Sequence, residues 1–302
     1  MPKHSYYLKI AWKKEILSPV VRIYDPISAK ILESPITRQW NIATGNVRHC
    51  TGYKDLEGLF TPCPDESATK PGKSSSTCSS CFSRDPWRYR AISRGYPVKT
   101  GSMNGRTVMD DENTSVYLTL IGNNLKVGVS TEPVRRWLDQ GSDYAILLWH
   151  GDGLAARKIE NRVEAYFSII TKTITFNQKF QALREIHSEQ EAQKKLLSFK
   201  KEVYDQLELP PSEDFDSSFF NLLQYQGPLV RSLTSFSPFL QDIKEQTVIR
   251  GDLAVIKGPL LVLKENQTFY AYNLHQLDGW EVEDPAAITK RVQRQKSLLD
   301  FT

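Results

Sequence analysis

The sequence predicts an α+β protein in three parts, and three observations carry that expectation. Short β-rich runs broken by proline and glycine occupy both ends of the 302-residue chain. A strand–strand–helix–strand–helix order runs through its middle. All four cysteines crowd into one stretch ahead of that middle. The parts are residues 1–110, a basic β region carrying the cysteines; 111–210, a β-β-α-β-α module followed by a long helix; and 211–302, a small antiparallel sheet or barrel with a C-terminal basic helix.

In the first part, Tyr6–Trp12, Val20–Tyr24 and Ile36–Ile42 read as strands of a small antiparallel sheet, interrupted by Pro19, Asp25-Pro26, Pro35 and Gly45. Nothing in it points to catalysis. Cys50, Cys63, Cys78 and Cys81 follow at the spacing C-x12-C-x14-C-x2-C. Under reducing conditions thiols stay free, and Zn²⁺ takes four soft ligands tetrahedrally, so a structural zinc site with all positions filled is expected. Only Cys78–Cys81 forms a close knuckle. Two disulfides in an exported protein, or buried thiols, remain alternatives, and His49 stands beside Cys50 as a substitute ligand. The stretch from Asp65 to Thr77 has no apolar anchor and reads as a flexible excursion between the second and third cysteines.

Beyond the knuckle, Phe82–Arg106 carries six basic side chains, one acid and four aromatics. Guanidinium groups grip phosphate bidentately and aromatic rings stack on unpaired bases, so Arg84, Trp87, Arg88, Arg90 and Arg94 are candidate nucleic-acid contacts, joined by Arg135 further on. The alternative is that the aromatics cover the zinc site while the arginines sit in water. The charge balance points the same way: the chain carries a net +4, yet residues 1–110 alone hold 17 Lys/Arg against 9 Asp/Glu.

The central module opens with Val116–Ile121 and Leu125–Val129, two apolar runs separated by Gly122-Asn123-Asn124, which is a hairpin. Ser130 and Thr131 supply hydroxyls ahead of Pro133, so a helix begins there, and Gln140-Gly141 ends it. Tyr144–Trp149 is a third strand. Leu154–Ile170 is an amphipathic helix with Leu154, Ile159, Val163, Tyr166 and Phe167 on its apolar side.

This order, with these residues, resembles the GIY-YIG nuclease superfamily. Ser115-Val116-Tyr117 stands where the family has Gly-Ile-Tyr, and Lys126-Val127-Gly128 where it has Tyr-Ile-Gly. The likeness is closer to the branch, common in phage-type proteins, that reads Lys-Ile-Gly followed by Thr, Pro and Arg-Arg. Here Ser130, Pro133 and Arg135-Arg136 follow, with Arg136 at the family's arginine spacing and Glu160 at its metal-binding glutamate. The stretch also resembles a family of prokaryotic proteins with four cysteines upstream of such a module. The resemblance implies phosphodiester hydrolysis at one Mg²⁺ or Mn²⁺ held by Glu160, with Tyr117 orienting the attacking water and Arg136 stabilising phosphate charge. Lys126 replaces the second tyrosine and is placed to contact phosphate; Glu164 replaces the frequent histidine and shares a helix face with Glu160. His150, at the end of the third strand, is a candidate proton carrier, although a turn residue is the more ordinary role.

Gln181–Leu207 reads as a long solvated helix ended by Pro210-Pro211. Val248–Ile256, Leu260–Leu263, Phe269–Leu274 and Trp280–Val282 are the strands of the C-terminal sheet, and Ala286–Leu299 a basic helix. No apolar run reaches membrane-spanning length and the N-terminus has no signal-peptide core, so a cytoplasmic location is expected. Three functions follow in order: a zinc-stabilised, metal-dependent endonuclease acting on DNA or RNA; a non-catalytic DNA- or RNA-binding protein on the same scaffold; and a protein-interaction scaffold centred on the C-terminal sheet.

Overall fold

The structure, a computed structural model, describes residues 5–13, 17–36, 38–55, 59–65, 67–68, 76–85, 113–209, 218–232 and 237–283. The N-terminal segment forms β1 (Tyr6–Lys13), β2 (Ser18–Asp25), β3 (Lys30–Pro35) and β4 (Gln39–Arg48), then the two-residue strands β5 (Tyr53–Lys54) and β6 (Phe60–Thr61) and the short helix α1 (Ser79–Arg84). β4 starts three residues later than the apolar pattern suggests, and β3, mostly exposed, carries too little alternation to be read from sequence.

The module follows as β7 (Asn113–Ile121), β8 (Asn124–Ser130), α2 (Pro133–Gln140), β9 (Tyr144–Asp152) and α3 (Gly153–Tyr166). The expected β-β-α-β-α order is present. Two strands too short to announce themselves, β10 (Ile170–Thr171) and β11 (Phe219–Asn221), complete a five-stranded sheet in the order β10-β8-β7-β9-β11. Pro133 starts α2 as expected, but Ser130 does not cap it; its Oγ accepts from the Glu132 amide 3.0 Å away. Gly141 ends α2 at φ 76°, a left-handed conformation that favours glycine. A side chain there would also strike the Lys257 carbonyl carbon at 2.7 Å. α3 stops four residues short of the expected end, and Tyr166 is exposed rather than apolar-facing.

The helix expected over Gln181–Leu207 begins only at Glu189, as α5 (Glu189–Leu207), and a separate helix, α4 (Phe176–Gln181), ends where the expected one would start. Each has its own capping box, Thr175 with Gln178 and Ser188 with Glu191, which fixes two starts where the periodicity suggested one. α5 ends on Glu208 in the left-handed conformation; Pro210-Pro211 lies outside the described residues.

The last segment supplies β12 (Phe239–Gln241), β13 (Val248–Lys257), β14 (Leu260–Glu265), β15 (Thr268–Asn273) and β16 (Trp280–Glu283). These do not form a sheet of their own. They join the N-terminal strands in one nine-stranded sheet, β12-β15-β14-β13-β4-β16-β1-β2-β3, with β4 antiparallel to both β13 and β16. The first and third parts of the chain therefore share a sheet. The Ala286–Leu299 segment lies outside the described residues, and among those that are described no helix is long and apolar enough to cross a membrane.

The largest core joins the module to the big sheet. Val116, Leu118, Leu125 and Val127 pack with Ile159 and Val163 of α3, Leu196 and Val203 of α5, and Val255, Leu260 and Val262 of β13 and β14. A buried ion pair fastens the same junction: Lys257 Nζ lies 2.6 Å from Asp143 Oδ1, both almost fully buried, and Asp143 Oδ2 accepts from the Gly122 amide at 2.7 Å.

Candidate functional site

Two constellations carry chemistry, and the first is the cysteine cluster. The Sγ atoms of Cys50, Cys63, Cys78 and Cys81 all lie within 4.8 Å of one another. Cys63 and Cys78 are 3.9 Å apart at sulfur, far too long for a disulfide and close to the edge of about 3.8 Å that a tetrahedron of roughly 2.3 Å Zn–S bonds requires. Backbone amides point at the sulfurs: Gly52 and Cys78 donate to Cys50, and Cys81 donates to Cys78, at 3.2–3.4 Å. Such donors stabilise thiolates, the form that ligates metal. Burial raises Cys50 to about 11 and pushes Cys81 higher still. At Cys78 burial acts the same way but is outweighed by the Cys81 amide and the neighbouring thiols, leaving it at about 7. The donor set and its geometry suit a metal ion such as zinc. His49 is not part of it: its Nε2 lies 3.1 Å from Glu281 Oε1 and its ring stacks on Tyr6, tying the cluster's edge to the nine-stranded sheet.

The second constellation is built on β7 and β8. Their register sets Ser115 opposite Ser130, Tyr117 opposite Gly128 and Thr119 opposite Lys126, so these six positions share one face. Tyr117 is fully buried on that face, edge-on to Trp137 of α2 with ring centroids 5.7 Å apart, and its hydroxyl lies 3.3 Å from Gln140 Oε1. Gly128 is glycine because the phenol lies against it: an added Cβ would sit 2.5 Å from Tyr117 Oη.

The structure brings the sequence-predicted residues together. Burial raises Tyr117 to about 12, against the opposing pull of the adjacent Arg136 guanidinium, while Glu160 acts on the phenol from α3. Burial also lowers Lys126 to about 8; Glu160 opposes that shift and Arg136 adds to it. Glu160 is itself raised by burial, though Lys172 and Lys126 face it and restrain the shift. Tyr117, Lys126, Arg136 and Glu160 thus feel one another's charge at a single place, although they are spread over 44 positions of sequence.

Other expectations fare differently. Glu164, expected on the same helix face as Glu160, is ion-paired with Lys172 Nζ at 2.6 Å and accepts from the Lys172 amide. Among the described residues the only group of three or more potential metal ligands is the cysteine cluster. Glu160 by itself offers one carboxylate, enough for Mg²⁺ or Mn²⁺ that keeps most of its waters. Arg135 is engaged by Glu132 at 3.0 Å. His150 Nδ1 sits 3.1 Å from Ser115 Oγ. Arg84 is exposed at the end of α1, whereas Trp87, Arg88, Arg90 and Arg94 lie outside the described residues.

Sequence reasoning missed Lys172 and Lys179. Lys126 Nζ donates to the Lys172 carbonyl, whose own ammonium bridges Glu164 and Asn161. Lys179, on α4, is lowered to about 8 by burial and by Lys126 and Arg136. Neither lysine belongs to a motif; Lys172 directly follows β10 and Lys179 lies on α4, so strand pairing and helix packing place them, which spacing does not show.

The chain belongs to the DUF2797 family. Residues 38–282 match it, and its description reads "Protein of unknown function (DUF2797)". The matched span of the DUF2797 protein takes in the four cysteines, the whole module and β16 up to Val282, leaving β1–β3 outside. No curated protein and no solved structure matches the chain.

Proposed function

We propose that this DUF2797 protein is a zinc-stabilised, nucleic-acid-binding endonuclease that hydrolyses phosphodiester bonds at the Tyr117–Lys126–Arg136–Glu160 cluster. The observation that supports it is the convergence just described: residues chosen only for their likeness to the GIY-YIG pattern meet at one place. The tyrosine of the first triplet lies against the glycine of the Lys-Val-Gly triplet.

The residues divide the work. Arg136, exposed on the first turn of α2, presents its guanidinium to a phosphate oxygen. Lys126, at about 8, adds a second cation that gives up its proton as pH rises through about 8. The Tyr117 hydroxyl, bonded to Gln140, positions the arginine from below. Glu160 would hold Mg²⁺ or Mn²⁺, which supplies a polarised phosphate and a more acidic water. Zinc in the cysteine cluster plays a structural part.

A non-catalytic reading draws on two observations. Tyr117 has no exposed surface from which to address water, and Lys172, Lys126 and Arg157 surround Glu160 with positive charge that opposes a divalent cation. On that reading the same cluster binds the phosphate backbone without cutting it.

One assay separates the two. Branched and single-stranded DNA and RNA are incubated with Mg²⁺ or Mn²⁺ and the wild type, Arg136→Ala or Glu160→Ala protein, with binding followed in parallel. Cleavage that falls at least about 100-fold in both variants while Glu160→Ala still binds supports the nuclease. Salt-sensitive binding without turnover in either metal supports the non-catalytic reading. Undiminished cleavage by Glu160→Ala overturns the first.

A further inference from the structure

Strand β4 is paired on both sides for only part of its length. β13 runs beside it from Gln39 to Ala43, whereas β16 follows its other edge only from Arg48 to Ala43, where Glu283 makes the last pair. Beyond that pair, no strand among the described residues meets the second edge at Trp40, Asn41 and Ile42. An antiparallel strand turns successive N–H and C=O groups to alternate sides, so at least one of these three residues presents its backbone pair to the open side. The same place is hollow. An open pocket of about 290 Å³ lies there, walled by Tyr7, Val21, Ile23, Trp40, Ile42 and Val282, and no charged residue lines it. Tyr7 and Trp40 are almost fully buried, whereas Val21, Ile23, Ile42 and Val282 are half-buried, so the wall open to a ligand is mainly aliphatic. The chain's own continuation does not suit this place. Extending the β16 register sets residue 284 opposite Ile42, on the pocket side, and residue 285 opposite Asn41. Asp284 would bring a carboxylate to an apolar wall, and Pro285 has no N–H to give.

We infer that the open edge of β4 and the pocket beside it form a docking site for an extended segment of a partner protein. The segment prolongs β16 along Trp40–Ile42 and seats one uncharged aliphatic side chain among Val21, Ile23 and Val282. Main-chain hydrogen bonds to an exposed strand edge supply affinity, and a pocket for a side chain of the added strand supplies selectivity. The neutral lining sets the chemistry of the occupant. A phosphate-bearing polymer finds no cation in this pocket, and a charged side chain would lose its water there without gaining a partner. The site is separate from the Tyr117–Glu160 cluster and does not depend on the nuclease reading.

The test selects displayed random heptapeptides on the full-length protein and measures the enriched peptide, labelled with fluorescein, by anisotropy. It compares wild type, Val21→Asp and, as a control on the exposed strand β3, Lys30→Gln, with thermal unfolding of each variant. Two altered peptides probe the unchanged protein, one with its aliphatic residue replaced by aspartate and one methylated on alternate backbone nitrogens. Val21→Asp and both altered peptides should weaken binding at least about tenfold, and Lys30→Gln should leave it unchanged. Hydrogen exchange of the wild type should show at least one amide of Trp40–Ile42 exchanging freely without peptide and protected with it. These results support the site. Failure to enrich any peptide, or equal binding of the methylated peptide, overturns it. Amides of Trp40–Ile42 that are all protected without peptide mean that this chain, or a second copy of it, covers the edge, and also overturn it. Displacement of the peptide by a single-stranded oligonucleotide assigns the place to nucleic acid and overturns it as well.

Discussion

The phenol of Tyr117 lies against Gly128, its register partner on the neighbouring strand, with Oη 2.5 Å and Cζ 2.6 Å from where a Cβ would stand. The two residues specify each other. Gly128→Ala should cost about 1–3 kcal/mol, since the buried ring has nowhere to move. In a Tyr117→Ala background the same substitution should cost far less. Urea unfolding of the four proteins of this double-mutant cycle measures the coupling; additive effects would mean that the contact does not constrain the site.

Lys257→Met should be among the most destabilising single changes, at about 3–5 kcal/mol, because it strands a buried carboxylate. Adding Asp143→Asn removes that charge and keeps an acceptor for the Gly122 amide, so the double variant should recover part of the loss. Denaturant midpoints of the single and double variants decide this.

Zinc analysis of protein purified without chelator should find about one ion per chain, lost in Cys81→Ser, whose side chain is fully buried. Removing the metal should expose the cysteines to thiol reagents and release the α1 region, since the two-residue strands β5 and β6 offer it little other support. Thiol titration before and after chelation reads this directly. Full protection of the thiols after metal removal would contradict it.

Stability should rise with pH above about 8. Lys126 and Lys179 have folded pKa values near 8, below the ordinary lysine value of 10.5. Between those limits the unfolded chain binds more protons than the folded one, so the penalty for burying charged lysine is fully present below about 8 and disappears toward 10.5. Nucleic-acid binding should move the opposite way and weaken as pH rises through about 8, because the cations lose their charge. Lys126→Met with Lys179→Met should flatten the stability slope in a pH series of unfolding curves.

Much of this was legible in the residue order. Gly122-Asn123-Asn124, Pro133 and Gly141 mark their turn, helix start and helix end by backbone preference alone, and the period-two and helical patterns of residues 116–167 yield the module. The number and closeness of the four cysteines point to the metal-compatible cluster that the structure shows, and the motif spacing singles out Tyr117, Lys126, Arg136 and Glu160 as candidates before any fold is known. Each is a local property, carried by neighbours in the chain.

What only the tertiary structure decided is non-local. Strand partners hundreds of positions apart, β4 with β13 and β16, merge the two ends of the chain into one sheet, and no local pattern encodes that choice. The same holds for charge. Glu164 meets Lys172 and Asp143 meets Lys257 only because packing brings them together, and at the buried Asp143–Lys257 pair it also excludes the water that would otherwise screen the charges.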